Sequence, residues 1–255
     1  IDTPHLVDSV RLNFKDDALK LGLCGTVQFQ GALYAAQTAL KSSYAEVSLP
    51  QCKPLSAGEV LGCSSPSLKG YDLCIFVADG RFHPEAVMIA NPDVPLYRYD
   101  PYAKVLTRER YEHGKMLGLR RDAIEAAKGA TRWGLVFGTL GRQGNPEVHA
   151  HLKGLLEARG FSVLTLLLSE IFPAKLAALP DVDAWVQICC PRLSIDWGHQ
   201  FGAPLLTPRE LFGYASDKAQ DAAYRAANIG LGAFVTFTRK RLGRGYEQAT
   251  LAEAK

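Results

Sequence analysis

Cys190 stands at the end of an apolar run and is followed by Pro191 and Arg192. The proline removes a backbone donor, and the arginine fixes a positive charge beside the thiol. A neighbouring cation lowers a thiol's pKa and favours the thiolate that binds metals. The plainer reading is a strand-end cysteine with no role. Its neighbour Cys189 is expected to face the other way and pack as a small hydrophobe. Cys63 lies in Leu61-Gly62-Cys63-Ser64-Ser65-Pro66. Its small neighbours leave room for a bulky ligand and offer backbone and hydroxyl donors to sulfur; a simple turn cysteine is the alternative. No C-x-x-C or C-x-x-H spacing occurs, which argues against a local zinc knuckle. Any metal site has to be assembled from distant parts of the chain.

Segment 138–145, GTLGRQGN, has the composition of an anion cradle. Its glycines let backbone approach a ligand, and Pro146 opens a helix whose N-terminus favours negative charge. Arg142 and Gln143 there, at a helix start, suit a carboxylate or an adenosine ribose. The segment is neither a P-loop nor a dinucleotide fingerprint, since Gly-Lys-Ser/Thr and G-x-G-x-x-G are both absent. His83, in Asp79-Gly80-Arg81-Phe82-His83-Pro84, reads either as a base, ligand or substrate contact or as an ordinary surface histidine. The other five histidines form no constellation, and no G-x-S-x-G, H-E-x-x-H or kinase signature is present. The residues alone name no catalytic group.

The remaining cysteines are quieter. Cys24 and Cys74 lie inside apolar runs and are expected in the core, where free cysteine is common; Cys52 is ambiguous and leans structural. With no secretory signal in view, the six cysteines read as reduced thiols of a cytoplasmic protein. The net charge of +3 is too small to argue for nucleic acid. The terminal cluster Arg239, Lys240, Arg241 and Arg244 reads as a solvated tail. No run of about 18 apolar residues suggests a membrane helix. The start, Ile1-Asp2-Thr3-Pro4, has neither an initiator Met nor a leader pattern, so the sequence is expected to be a piece of a longer chain.

The elements that position these residues come in two copies of one plan. Residues 19–24 form a short apolar run ending in Gly25-Thr26, followed by helical spacing over 31–42 and strand signals at 46–49, 73–77 and 94–97. From Gly138-Thr139, 113 positions on, the order repeats: a run at 133–137, a helix over 146–159, and strands at 162–168, 184–188 and 204–206. Apolar strands alternating with helices predict parallel sheets covered on both faces. The expected architecture is α/β, two similar α/β/α units, joined by a charged helix over 107–130 that starts at an N-cap Thr107. The divisions are 1–120, 121–212 and a divergent tail, 213–255. In such sheets ligands bind beyond the carboxyl ends of the strands. That rule selects 26–28, 79–83, 139–145 and 189–198.

These segments carry a resemblance. PQCKPLS (50–56), LGC (61–63), DGRFH (79–83), MIANP (88–92) and YRYDPY (97–102) look like the middle domain of the 2-(3-amino-3-carboxypropyl)histidine synthases, subunit 1 branch. These are the iron–sulfur enzymes that begin diphthamide synthesis. GTLGRQGNP (138–146), LLLSEIFPAKL (166–176) and CPRLSIDWG (190–198) resemble their C-terminal domain. The likeness runs from Ile1 to about Leu211; the residues beyond look unlike the family's ending.

The resemblance implies a [4Fe–4S] cluster held by three cysteines, one from each of three similar domains. Its open iron binds S-adenosylmethionine, which is cleaved reductively to give a 3-amino-3-carboxypropyl radical. That radical adds to a histidine of elongation factor 2. Cys63 and Cys190 match two of the ligand positions, and the domain carrying the third is expected to lie outside this sequence. Arg142, Gln143, Gly144 and Arg192 border the implied S-adenosylmethionine pocket, with His83 a further member. Implied partners are a paralogous subunit 2 in a heterodimer, elongation factor 2 as protein substrate, and an electron-donor protein. The other reading is a truncated, non-catalytic paralogue that binds the partner subunit or elongation factor 2.

Overall fold

A computed structural model describes residues 1–141 and 143–215 of the 255. The chain divides into two units between Tyr111 and Glu112.

In the first unit the helix α1 (Thr3–Asn13) precedes β1 (Lys20–Gly25), α2 (Gln30–Leu40) and β2 (Glu46–Ser48). Then follow β3 (Leu73–Val77), α3 (Phe82–Ala90), β4 (Leu96–Asp100) and β5 (Val105–Glu109). The sheet order is β2-β1-β3-β4-β5. The first four strands run parallel, while β5 is antiparallel to β4. Alternation along the strands divides the core between the two faces. Leu21, Leu23, Leu73, Ile75 and Val77 pack with Leu6, Val10, Leu33 and Leu40 from α1 and α2. Cys24, Cys74 and Phe76 face the other way and pack with Val87 and Met88 of α3. Cys24 and Cys74 are thus core residues; a mutual hydrogen bond and burial push the Cys74 thiol well above its ordinary range.

The expected helix from Thr107 is a correction. Thr107 lies in β5, opposite Arg98 of β4, and the first helical residue of the linker is His113. Long-range pairing decides this. Val105 and Thr107 are β-branched, and Glu109 accepts from Arg98 at 3.0 Å and from the Thr107 hydroxyl at 2.9 Å. A cross-strand pair such as Arg98–Glu109 stabilises a hairpin by roughly 0.2–1 kcal/mol, and a local helical reading does not register it.

The second unit contains α4 (His113–Ala127), β6 (Arg132–Gly138), α5 (Pro146–Glu157), β7 (Ser162–Leu168) and α6 (Pro173–Ala177). It continues with β8 (Ala184–Ile188), α7 (Arg192–Trp197), β9 (Leu205–Leu206) and α8 (Pro208–Ala215). The sheet order is β7-β6-β8-β9, all parallel. In both units the second strand of the chain lies at the edge, then the first, third and fourth. The repeat seen as spacing is therefore a repeat of topology. Trp185 lies over Gly134 on β6, where a Cβ would collide with the indole. Val136, Trp185 and Leu205 share a core cluster with Leu176 of α6.

One buried cation ties this unit together. Arg120, on α4, is 2% exposed. It donates to both carboxylate oxygens of Glu210 at 2.8 Å, to the Ser194 carbonyl at 2.7 Å and to the Leu205 carbonyl at 2.8 Å. These bonds join α4 to α7, β9 and α8. They explain why all of α4 belongs to the second unit, ahead of the junction expected near residue 120. No helix among the described residues is long and apolar enough to cross a membrane.

Removing one partner of a buried pair strands the other charge, at a cost of about 3–5 kcal/mol. Arg120→Ala is expected to lose stability on that scale in urea unfolding followed by tryptophan fluorescence. A loss below about 1 kcal/mol, the scale of an exposed ion pair, would show that the pair is not critical.

Candidate functional site

Cys63 belongs to the first unit and Cys190 to the second. Each lies at the carboxyl edge of its own sheet, reached by a different route.

In the first unit the chain returns to the end of β1 after β2. Gly25 donates to the Gly58 carbonyl at 2.9 Å, and Val60 donates back to the Gly25 carbonyl at 3.0 Å. The next residues make a tight turn, closed by a bridge between Leu61 and Ser64, with Cys63 inside it. Gly62 is required because a Cβ would enter the ring of Phe82, the first residue of α3 beyond β3. His83 stacks edge-on against the same ring, with centroids 5.4 Å apart. The Cys63 turn and His83 therefore meet at one aromatic side chain.

Beyond the turn, Asn91 at the end of α3 fixes the loop. Its amide donates to the Pro66 carbonyl at 3.1 Å and accepts from the Leu68 N–H at 2.8 Å. Two hydroxyl oxygens at this edge, Thr26 Oγ1 and Ser64 Oγ, are buried with no hydrogen-bond partner. Burying an unpaired hydroxyl costs about 1–3 kcal/mol, so Ser64, next to Cys63, is suited to meet an acceptor brought by a ligand.

In the second unit β8 ends at Ile188, and Cys189 and Cys190 follow before α7. Gly138, closing β6, sits opposite them; a Cβ there would lie 2.5 Å from the Cys189 Cβ. Gly144 is likewise confined by the Phe137 ring and the Gly138 carbonyl. Gln143 is exposed. Asn145 caps α5, accepting from the Glu147 and Val148 N–H groups at 2.9 and 3.1 Å. Arg142 lies outside the described residues, as does the tail beyond 215.

Arg192 opens α7, is 3% exposed, and its Nε is held by Asp196 at 2.8 Å. Its charge is thus fixed in place, two residues along the chain from Cys190. Cys189 and Cys190 differ sharply. The Cys189 thiol donates to Gln187 Oε1 at 2.7 Å. Burial, with the nearby Cys190 sulfur, pushes it up to about 12. Both thiols are half-buried, so it is the hydrogen bond to Gln187 that sets Cys189 apart.

None of the six cysteines is in a disulfide. No three His, Cys, Asp or Glu side chains among the described residues converge as a metal-binding set. A hollow of about 190 Å³ beside α6, lined by residues such as Leu176, Trp185 and Phe201, holds no titratable side chain. The hydroxyl donors beside Cys63 were anticipated from sequence, whereas Gln187 and Asn91 were not reached. The available signal was polarity in the wrong place: a glutamine inside the apolar run AWVQI, and an asparagine closing an apolar helix.

The sequence pattern described as "Putative diphthamide synthesis protein" matches residues 1–225. The chain is 58% identical over 211 residues to the Homo sapiens 2-(3-amino-3-carboxypropyl)histidine synthase subunit 1, covering 82% of this chain and 48% of that protein. The Aspergillus fumigatus protein of the same name is 45% identical over 256 residues, covering all of this chain and 57% of the relative. Family similarity thus carries past Leu211, further than the motifs indicated. The chain spans about half the length of the curated relatives it matches. Among solved structures, Dph2 from Pyrococcus horikoshii superimposes with a TM-score of 0.70 at 23% identity, over 85% of this chain and 63% of that one. A structure of the same protein with a 4Fe-4S cluster gives 0.68 at 24%, over 84% and 62%. This likeness shows a shared fold.

Gly138→Ala is expected to destabilise by about 1–3 kcal/mol through overpacking against Cys189. Gly154→Ala, in α5 with open space around the added methyl, is expected to stabilise by roughly 0.5–1 kcal/mol. Urea midpoints of the two variants check both signs.

Proposed function

We propose, since the chain belongs to the diphthamide synthesis family, that it supplies two thiolates, Cys63 and Cys190, to a [4Fe–4S] cluster. The enzyme would be the transferase of the first step of diphthamide biosynthesis. The carrying observation is the local chemistry at each thiol. Cys63 sits in a turn of small residues whose Ser64 hydroxyl is buried with no hydrogen-bond partner. Cys190 lies half-buried just beyond a strand end, two residues before Arg192, whose charge Asp196 fixes. Soft thiolate donors are the usual ligands of iron–sulfur clusters, and hydrogen bonds to the sulfurs tune them. The donor set therefore fits the group. A third thiolate is assigned to the length of the relatives that this chain does not span.

When bound, the cluster supplies the electron for reductive cleavage of S-adenosylmethionine, whose 3-amino-3-carboxypropyl group passes to a histidine of elongation factor 2. The residues of this chain do the binding and orienting. Arg192, locked by Asp196, offers a pre-oriented cation to the cosubstrate's carboxylate. Gly144 lets backbone approach, and Arg142 and Gln143, adjacent to it in sequence, are assigned to the same cosubstrate. His83 borders the first unit's part of the pocket. The working form in this reading is a cytoplasmic heterodimer with a paralogous subunit 2, served by an electron-donor protein.

The test is iron and sulfide content, with thiolate-to-iron absorption, in protein made anaerobically beside the remaining length of the enzyme and its partner subunit. Cys63→Ala and Cys190→Ala are each expected to lose the absorption and most of the iron. Iron that survives both substitutions would sink the ligand assignment.

A further inference from the structure

We infer that Gln187 is a positioning residue: it presents Cys190 as the cluster ligand and holds the adjacent Cys189 out of reach. The inference rests on the cluster reading above and deepens it.

Gln187 lies on β8 and is fully buried, in a strand whose other residues are Ala184, Trp185, Val186 and Ile188. An aliphatic side chain would serve the core there without the cost of burying an amide. Instead, every hydrogen-bonding capacity of the carboxamide is spent on the segment just beyond the strand. Nε2 donates to the Cys190 carbonyl at 3.1 Å and to Ser194 Oγ at 3.1 Å. Oε1 accepts from the Cys189 N–H at 2.9 Å and from the Cys189 thiol at 2.7 Å. The reversed amide would set oxygen against the Cys190 carbonyl and nitrogen against the Cys189 N–H, so the network permits one orientation.

The consequences at the two cysteines are opposite. Cys189 is gripped at both backbone and sulfur and turned toward the sheet, where it faces Gly138. Gln187 reaches Cys190 at its carbonyl and not at its sulfur. The Ser194 bond extends the grip into α7, whose Ser194 carbonyl is held in turn by the buried Arg120. Two neighbouring thiols, otherwise interchangeable to a metal, are thereby made unequal by one side chain.

The test is alkylation of the metal-free, reduced full chain by a brief pulse of iodoacetamide, with the modified cysteine located by peptide mass spectrometry. The parent is expected to label at Cys190 in preference to Cys189. Gln187→Met, of similar size but with no hydrogen bonds to give, is expected to lower that ratio by about fivefold or more, the factor one net hydrogen bond is worth. An unchanged ratio in a folded Gln187→Met chain overturns the inference. Should that variant not fold, Ser194→Ala, which releases one of the four bonds, is read in its place: a lowered ratio supports the inference and an unchanged one overturns it. Iron loading separates this claim from the one beneath it. Cys190→Ala that keeps its iron sinks the cluster reading. Cys190→Ala that loses iron, beside a Gln187→Met that labels and loads like the parent, sinks the positioning role alone.

Discussion

Parallel pairing of strands is the constraint from which the rest of each unit follows. A strand's N–H and C=O groups have to be matched by a neighbour, and parallel neighbours require a covered crossover between them. The crossovers cover both faces, which leaves the strand ends as the place where side chains meet solvent and ligand. Because the strands run the same way, their carboxyl ends share one edge. In the second unit this brings Gly138 and the Cys189-Cys190 pair face to face. In the first it brings Thr26, just after β1, and Phe82, beyond β3, to the same rim. The common strand order of the two sheets gives each unit such a rim.

The two candidate thiols use that rim differently, and the difference is physical. Cys190 is delivered directly, as the second residue after a central strand. Cys63 precedes the third strand of its sheet and is delivered indirectly, by backbone pairing of Gly58 and Val60 with Gly25. Each segment is then fixed by a buried carboxamide, Asn91 in the first unit and Gln187 in the second. Burying such a group is unfavourable unless every bond is made. Its presence in an otherwise apolar setting marks a loop whose shape is tightly specified.

Much of this was legible in the sequence because it is periodic. The bounds of β3, β7 and β8 coincide with the apolar runs 73–77, 162–168 and 184–188, and the offset of the two Gly-Thr pairs announced the repeat. The rule that ligands gather at strand ends located Cys190 but not Cys63, whose placement depends on a return to β1 that no local pattern encodes. The hairpin β4–β5 was hidden for the same reason: Thr107 reads locally as a helix cap, and only pairing with Arg98 makes it a strand residue. Arg120 is one charge among several in the charged helical segment; its burial follows from carbonyls at Ser194 and Leu205, far along the chain. Family resemblance supplied the chemistry of the thiols, which neither spacing nor periodicity identifies.

The central claim is that thiolates of both units bind iron. The most direct measurement is anomalous diffraction at the iron edge, from crystals of the assembled enzyme grown without oxygen. The account predicts iron peaks at bonding distance from both Cys63 Sγ and Cys190 Sγ, with none at Cys189 Sγ. Iron bound through neither thiol, or through Cys189 in place of Cys190, would contradict it.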